Sequence, residues 1–450
     1  LDSKVTITSH QLQQWLQHLE ISEIECLIPD MTGLARGKIV PARKFDGSEG
    51  LRLPEAVLTQ TVTGDFPEED YTSEADPDMR LIPDPATARV LPWAKEPSAL
   101  VIHDCVTFDG KPAELAPRNV LKHVMSLFAD KGWQAVVAPE MEFYFVETNP
   151  DEDIPLRPPL GRTGRTEAGR QGYSIDAVDE FDAIFDLIYD WCEQQNLAID
   201  TLIHEMGTAQ MEINFDHGCP LSLADQVFVF KRTVRQAAIH HNMYATFMAK
   251  PIQGQPGSAM HIHQSLEDGD GRNVFSKADG SPSDEFFHFI GGLQTYLPAA
   301  MPFLAPFVNS YRRLSRYTSA PINLAWGYDN RTCGLRVPHS SPAARRVENR
   351  LPGVDVNPYL AIAASLACGY LGIEEKLQPS EPFAGSAYGL PRTLPRHLDD
   401  ALDQLRQCEP LKRVFGARFV DTFCGIKEAE CREFDQVISA WERRYLLQHV

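Results

Sequence analysis

Ala135-Val-Val-Ala-Pro-Glu140-Met-Glu142-Phe-Tyr-Phe-Val146 is an apolar run broken by two glutamates. Its length and its Val, Phe and Tyr content predict a strand. Side chains two apart on a strand share a face, so Glu140 and Glu142 point the same way. A solvated strand face is the plain explanation of such a pair. The aromatic and aliphatic neighbours argue instead for a buried sheet, where ionised carboxylates persist only when paired or bound to metal.

Three further segments repeat this chemistry. Glu205-Met-Gly-Thr-Ala-Gln-Met-Glu212 places an acid at each end of a Gly-Thr turn, and a hairpin would bring both ends to one side. Taken alone, it is better explained as a structural hairpin. Gly257-Ser-Ala-Met-His261-Ile-His263-Gln-Ser265 reads as a strand with two imidazoles on one face, after a glycine that permits close backbone approach. Arg346, Glu348 and Arg350 alternate within Arg345-Arg-Val-Glu-Asn-Arg350. Carboxylates and imidazoles gathered on one cavity repel and are costly to desolvate unless cations sit among them. An oxygen-rich set with few imidazoles suits Mg²⁺ or Mn²⁺ rather than zinc. The expectation is a two-metal active site.

Between residues 312 and 350 lie Arg312, Arg313, Arg316, Arg331, Arg336, Arg345, Arg346 and Arg350, with no lysine and only Asp329 and Glu348 as acids. The whole chain carries a formal charge of −20, so this local excess of fork-shaped donors points to phosphate or carboxylate binding. Metals and arginines around a polyphosphate, near a carboxylate substrate, describe phosphoryl transfer. The usual nucleotide motifs are absent: Gly33-Leu-Ala-Arg-Gly37-Lys38 has the wrong spacing for a phosphate-binding loop, and Gly161-Arg-Thr-Gly164 falls in a predicted loop.

At 450 residues, with 43% hydrophobic and 23% charged content, the chain predicts a soluble globular protein of two domains. The acidic balance argues against nucleic-acid and anionic-membrane partners. Nine cysteines without a C-x-x-C pair indicate neither a disulfide framework nor a thiolate zinc site. No signal-peptide pattern is visible in the first twenty residues, and a cytoplasmic location is expected. The longest apolar stretch, Tyr359 to Ile373, is short for a bilayer and predicts a buried helix.

Along the chain, Leu12, Trp15, Leu16 and Leu19 predict a short helix capped by Ser9. Segments 24–40 and 99–108 read as strands, with a turn at Asp30-Met-Thr-Gly33, and Gly64 to Asp84 reads as loop. A helix opens at Pro117 and closes at Gly132, and residues 147–172 read as a mobile surface loop. Helices are expected near 178–195 and 222–242 and through most of the chain after Val356.

In their order and content these motifs resemble the class I glutamine synthetase superfamily from about residue 20 to the end. Asn309-Ser-Tyr-Arg-Arg313-Leu, Asn330-Arg331 to Arg336 and Asn357-Pro-Tyr join the segments above in carrying the likeness. The resemblance implies an α+β chain: a β-grasp-like N-terminal domain over 1–110 and a catalytic domain over 111–450, an antiparallel sheet flanked by helices. It implies active sites between subunits of a homo-oligomeric ring, commonly a dodecamer. Carried over by motif, Glu142, Glu205 and Glu212 resemble ligands of one metal, and Glu140, His261 and Glu348 those of a second. His263, Ser265, Arg336 and Arg346 look like ATP contacts. Arg331 resembles the arginine that stabilises the transferring phosphoryl group. Gly257, Arg313 and Arg350 match positions that hold L-glutamate, Arg313 also counting among the catalytic arginines. The implied chemistry is ATP-dependent activation of the γ-carboxylate to an acyl phosphate, then attack by an amine.

Two departures narrow the expectation. Ser319 stands where ammonia-using members carry a flap glutamate. Asp46-Gly-Ser-Glu49 superficially resembles an ammonium-binding aspartate motif, but the following Gly50-Leu-Arg-Leu-Pro54 looks like the branch that lacks it. Pro256, in place of asparagine, points the same way. These features resemble the γ-glutamyl-polyamine and -monoamine synthetase branch. Glutamine synthetase proper and a catalytically silent homologue are the alternatives; the second predicts lost ligands, whereas all are present. Tyr388, before Gly389-Leu-Pro391, faintly resembles a regulatory adenylylation site but reads as an ordinary loop tyrosine.

Overall fold

The computed structural model describes residues 8–45, 50–67, 75–167, 169–316 and 318–450. The Asp46–Glu49 segment therefore lies outside the described residues. Two sheets organise the chain. The first contains β1 (Glu23–Pro29), β2 (Ala35–Pro41), β3 (Leu51–Pro54), β4 (Asp78–Pro83), β5 (Arg89–Val90) and β6 (Ser98–Val106). Their order is β2-β1-β6-β4-β3, with β5 beside β6. β1 and β6 run parallel and the other pairs antiparallel.

The second sheet contains β7 (Trp133–Glu147), β8 (Ile199–His204), β9 (Gln210–Phe215), β10 (Met243–Thr246), β11 (Met260–Asp268), β12 (Trp326–Tyr328), β13 (Leu335–Val337) and β14 (Val347–Asn349). Their order is β12-β13-β14-β11-β7-β9-β8, with β10 on β7. All pairs are antiparallel except β12 with β13.

Helices cover the second sheet. Pro117–Ala129 buries Val120, Leu121, Val124 and Phe128, as its periodicity predicts. Pro358–Glu375 is the expected buried apolar helix. The Asn357 side chain caps it through the Tyr359 and Leu360 amides and donates to the Asp30 carbonyl at 2.9 Å, tying it to the β1–β2 turn. It crosses the helix Asp284–Leu304 so closely that a Cβ on Gly292 would meet the Gly372 Cα at 2.6 Å. One hydrophobic core runs from the first sheet through these helices, and a second, smaller one lies under the N-terminal helix. Among the described residues no helix is long and apolar enough to cross a membrane.

Two local expectations need correction. The first helix, Ser9–His18, is capped by Thr8, whose hydroxyl accepts the Gln11 amide, and Ser9 is already helical. The predicted loop from Gly64 to Asp84 contains β4, where Met79 and Leu81 alternate inward between β3 and β6. Flanking prolines and aspartates hide so short an alternation. Glu147 still belongs to β7; residues 148–172 contain no helix or named strand among those described, but Glu167 anchors the segment, as shown below.

Candidate active site

Strand register brings the distant motifs together. Glu142 of β7 faces Glu212 of β9, and Glu140 faces His261 of β11. His263 faces Glu348 of β14, and Glu348 faces Arg336 of β13. Directly opposed residues on antiparallel strands present side chains to one face. Four strands thus deliver five of the six expected metal ligands to a single corner.

His261 Nδ1 lies 3.1 Å from Glu140 Oε2, 4.0 Å from Glu142 Oε1 and 3.9 Å from Glu348 Oε1. His263 Nε2 donates to Glu140 Oε1 at 2.8 Å, while its Nδ1 accepts from Arg346 Nε at 3.1 Å. Donor atoms of Glu140, His261 and Glu348, and separately of Glu142, Glu212 and His261, lie within 4.8 Å of one another. His261 thus belongs to both groups. Glu205 belongs to neither: it follows the last residue of β8, at the start of the hairpin turn. It remains close enough for its charge to act on Glu142 and Glu212.

Electrostatics separates the two groups. Burial, and then the charge of Glu205, push Glu142 up to about 8. Burial, followed by repulsion from Glu140, Glu142, Glu205 and Glu348, pushes Glu212 up to about 10. Burial raises Glu205 as well. Burial opposes ionisation of Glu348, but Arg350 and the two histidines hold it down to about 2. Burial similarly opposes Glu140, which hydrogen bonds from His261 and His263 keep low. His261 is driven down to about 4 by burial and by Arg350, which leaves a neutral imidazole suited to metal binding. Too many acids for too few cations, in oxygen–imidazole geometry, is a donor set that fits divalent cations.

The arginines divide into site and scaffold. Arg336 bonds Glu348 Oε2 and Asp329 Oδ1, each at 2.7 Å, and Arg350 pairs with Glu348 Oε1. Both retain a buried Nε without a hydrogen-bond partner. Arg313 is buried and donates to the Leu351 and Arg350 carbonyls at 2.7 and 2.9 Å, beneath Gly257. A Cβ on Gly257 would meet Arg313 Cγ and the Ala249 carbonyl at 2.6 Å, so only glycine fits there. Arg331 is exposed on the loop between β12 and β13, close enough for its charge to act on Asp329. Arg345 and Arg312 lie outside the site: Arg345 binds the Phe275 and Gly280 carbonyls, and Arg312 packs over Phe434.

Beside Glu140 opens a cavity of about 370 Å³ lined by Asn214, His263, Ser265 and Arg346. Arg336 does not line it. The sequence analysis missed Gln210, whose amide bridges Glu142, the Gly257 carbonyl and Ser258 at 3.4, 3.1 and 3.2 Å. A lone glutamine beside the hairpin turn carries no signal of that role. Ser319, in a left-handed conformation with φ 62°, donates through its backbone to the phenol oxygen of the buried Tyr388, which feels both Arg313 and Arg350.

Acid donors that fit divalent cations beside forked arginines form a set suited to anionic ligands. Residues 114–446 match the glutamine synthetase catalytic-domain family. Gamma-glutamylputrescine synthetase of Escherichia coli K12 is 33% identical over 95% of this chain and 92% of its own. Glutamate–isopropylamine ligase of a Pseudomonas species is 31% identical over 97% of each. Glutamine synthetase of Halobacterium salinarum is 32% identical over 99% of this chain and 98% of its own. Among solved structures, a GmaS–ADP complex superposes with a TM-score of 0.85 at 29% identity, covering 97% of this chain and 99% of that one. The chain belongs to the glutamine synthetase family and is an ATP-dependent ligase of that type.

Proposed function

We propose that this enzyme joins the γ-carboxylate of L-glutamate to an organic primary amine, a polyamine or monoamine. Relatives named gamma-glutamylputrescine synthetase, glutamate–isopropylamine ligase and glutamine synthetase lie within 31–33% identity, so overall similarity does not choose among them. The observation that carries the choice is Ser319, a neutral side chain at the flap position beside Arg313. Without a carboxylate, that position has no electrostatic hold on a small cation and leaves room for a substituted amine.

In this reading Glu140, His261 and Glu348 hold one cation, and Glu142, Glu212 and Glu205 a second, with His261 between them. Mg²⁺ or Mn²⁺ bound there would offset charge on the phosphoryl oxygens. His263, Ser265 and Arg346 contact ATP in the adjoining cavity, and Arg336 steadies Glu348 from beside the phosphates. Arg331, exposed on its loop, stabilises the transferring phosphoryl group. Arg313 and Arg350, with the Gly257 backbone, orient glutamate. Its γ-carboxylate oxygen attacks the terminal phosphorus of ATP, forming γ-glutamyl phosphate and releasing ADP. The amine nitrogen then attacks the acyl carbon, and phosphate and a proton leave.

Residues 1–110 form the N-terminal, β-grasp-like domain in this reading and 111–450 the catalytic one, since the first sheet ends at Val106 and the second begins at Trp133. The working form is a cytoplasmic homo-oligomeric ring, a dodecamer. The exposed apolar residues Val437, Trp441 and Leu447 near the C-terminus support association. Glutamate-dependent ADP release across ammonia, putrescine, spermidine and simple monoamines tests the function. An organic amine with the highest kcat/KM is expected, and ammonia as the best substrate would overturn it.

A further inference from the structure

Glu205 is the one expected metal ligand that lies outside the named strands. It lies one residue past β8, where its amide donates to the Gln210 carbonyl of β9 at 2.8 Å, so the last rung of the hairpin and the turn after it together decide where its carboxylate points. The segment before Tyr173, predicted as a mobile surface loop, grips this turn from outside. Glu167 Oε2 accepts the Ala209 amide at 2.7 Å and a His204 ring proton from Nε2 at 3.2 Å. The other His204 nitrogen, Nδ1, donates to the Glu205 carbonyl at 2.7 Å. The Tyr173 amide closes the grip on the His204 carbonyl at 2.8 Å.

Several features show that this contact is built rather than incidental. The His204 side chain is 0% exposed and that of Glu167 8%. Glu167 Oε1 is buried with no hydrogen-bond partner, an arrangement costly to keep and unneeded by a surface loop. Ala209 sits at φ 53°, a left-handed conformation that an L-residue holds only when its surroundings fix it. The Ala209 carbonyl accepts the Phe145 amide of β7 at 3.0 Å, which joins the gripped turn to the strand of Glu140 and Glu142. On the turn's outer side, a Cβ on Gly172 would meet Met206 Sδ at 2.4 Å, so loop and turn are in direct contact.

We propose that Glu167 is a positioning residue that acts through His204 and the Ala209 amide to hold Glu205 toward the Glu142–Glu212 pair. This rests on the reading of Glu205 as a cation ligand. Partners of this kind fix the direction of a ligand they do not replace, and their loss typically weakens metal affinity by about 10–100-fold. The loop would thus tune one of two neighbouring cation sites and spare the other, since Glu140, His261 and Glu348 are held by strand register and by Arg336 and Arg350.

The test is Mn²⁺ titration, followed by electron paramagnetic resonance, of cation-free wild type, E167A, E167Q, E167D and E205Q. E167A is expected to lose about 10–100-fold in affinity for one cation and to keep the other. E167Q retains an acceptor of the same reach and is expected to stay near wild type, and E167D, too short to span both partners, to follow E167A. A purely structural role would not sort the variants by acceptor reach or weaken one cation alone. E167A and E167D titrating as wild type while E205Q loses a cation would overturn the positioning role alone. E205Q titrating as wild type would overturn the ligand reading on which it rests. Should E167A fail to fold, E167D against E167Q decides: equal affinities for both cations overturn the proposal, and loss in E167D only upholds it.

Discussion

The aspartates around Arg118 and the glutamates at the centre of the second sheet are both buried or half-buried, yet the first group is matched by cations of the protein while the second holds an excess of acids. Arg118, 2% exposed, holds Asp84 and Asp225 at 2.6 and 2.9 Å and also binds Asp104, which Lys122 shares. The Tyr359 hydroxyl donates to Asp225 at 2.6 Å. This cluster links the first sheet to the helices Pro117–Ala129 and Pro220–His240; its three aspartates share Arg118, Asp104 also binds Lys122, and Arg89 lies close enough to feel Asp225 and Asp84. Around Glu212 the balance is reversed, with four other glutamates close enough to raise its affinity for protons. A closed ion cluster reads as scaffold, whereas an unbalanced one implies a charge that arrives with the substrates.

Substitutions should separate the two. Glu212→Gln is expected to lower kcat/KM by about a thousandfold or more, because a cation supplies several kcal/mol of transition-state stabilisation. The same change should leave the cation-free protein as stable or more stable. Glu212 is raised from its ordinary 4.5 to about 10, so its burial favours folding only while it is protonated. Wild-type stability should therefore fall as pH rises from about 4.5 towards about 10, relative to Glu212→Gln. Denaturant unfolding of the two proteins in chelator across that range checks the sign. A Glu212→Gln variant that is less stable at high pH would break the contrast.

Asp225→Ala should do the opposite. It leaves Arg118 and Tyr359 short of a buried partner and is expected to cost about 3–5 kcal/mol in unfolding free energy. Its kcat/KM, measured where the protein stays folded, should match that of wild type. A third substitution sharpens the comparison within the site. Ser319→Glu adds a carboxylate beside the amine position and should shift kcat/KM toward ammonia over organic amines by about tenfold, or about 1.4 kcal/mol. No shift in the amine panel would place specificity elsewhere.

Much of this site was legible because strand periodicity and chemistry coincide. Glu140/Glu142 and His261/His263 alternate within apolar strands, so their shared face followed from spacing alone. The hairpin joining Glu205 to Glu212 was equally readable, and Ile203 indeed faces Glu212 across it. What spacing could not give was order across strands: His261 stands between both acid groups because β11 lies next to β7, a tertiary fact. Composition also misled. Arg345 belongs to the arginine-rich stretch but serves carbonyls of a neighbouring loop, and β4 was masked by its prolines. Glu167 gave no signal, since a single acid in a polar loop resembles any solvated charge.

Catalysis of this kind requires the acid corner to accept divalent cations that displace protons from its glutamates. Calorimetric titration of the chelator-treated protein with Mn²⁺ near neutral pH, repeated in buffers of different ionisation enthalpy, measures both quantities together. Two cations bound per chain with net proton release is the predicted result, because Glu142 and Glu212 otherwise hold protons to about 8 and about 10. No cation bound, or binding without proton release that persists in Glu212→Gln, would contradict it.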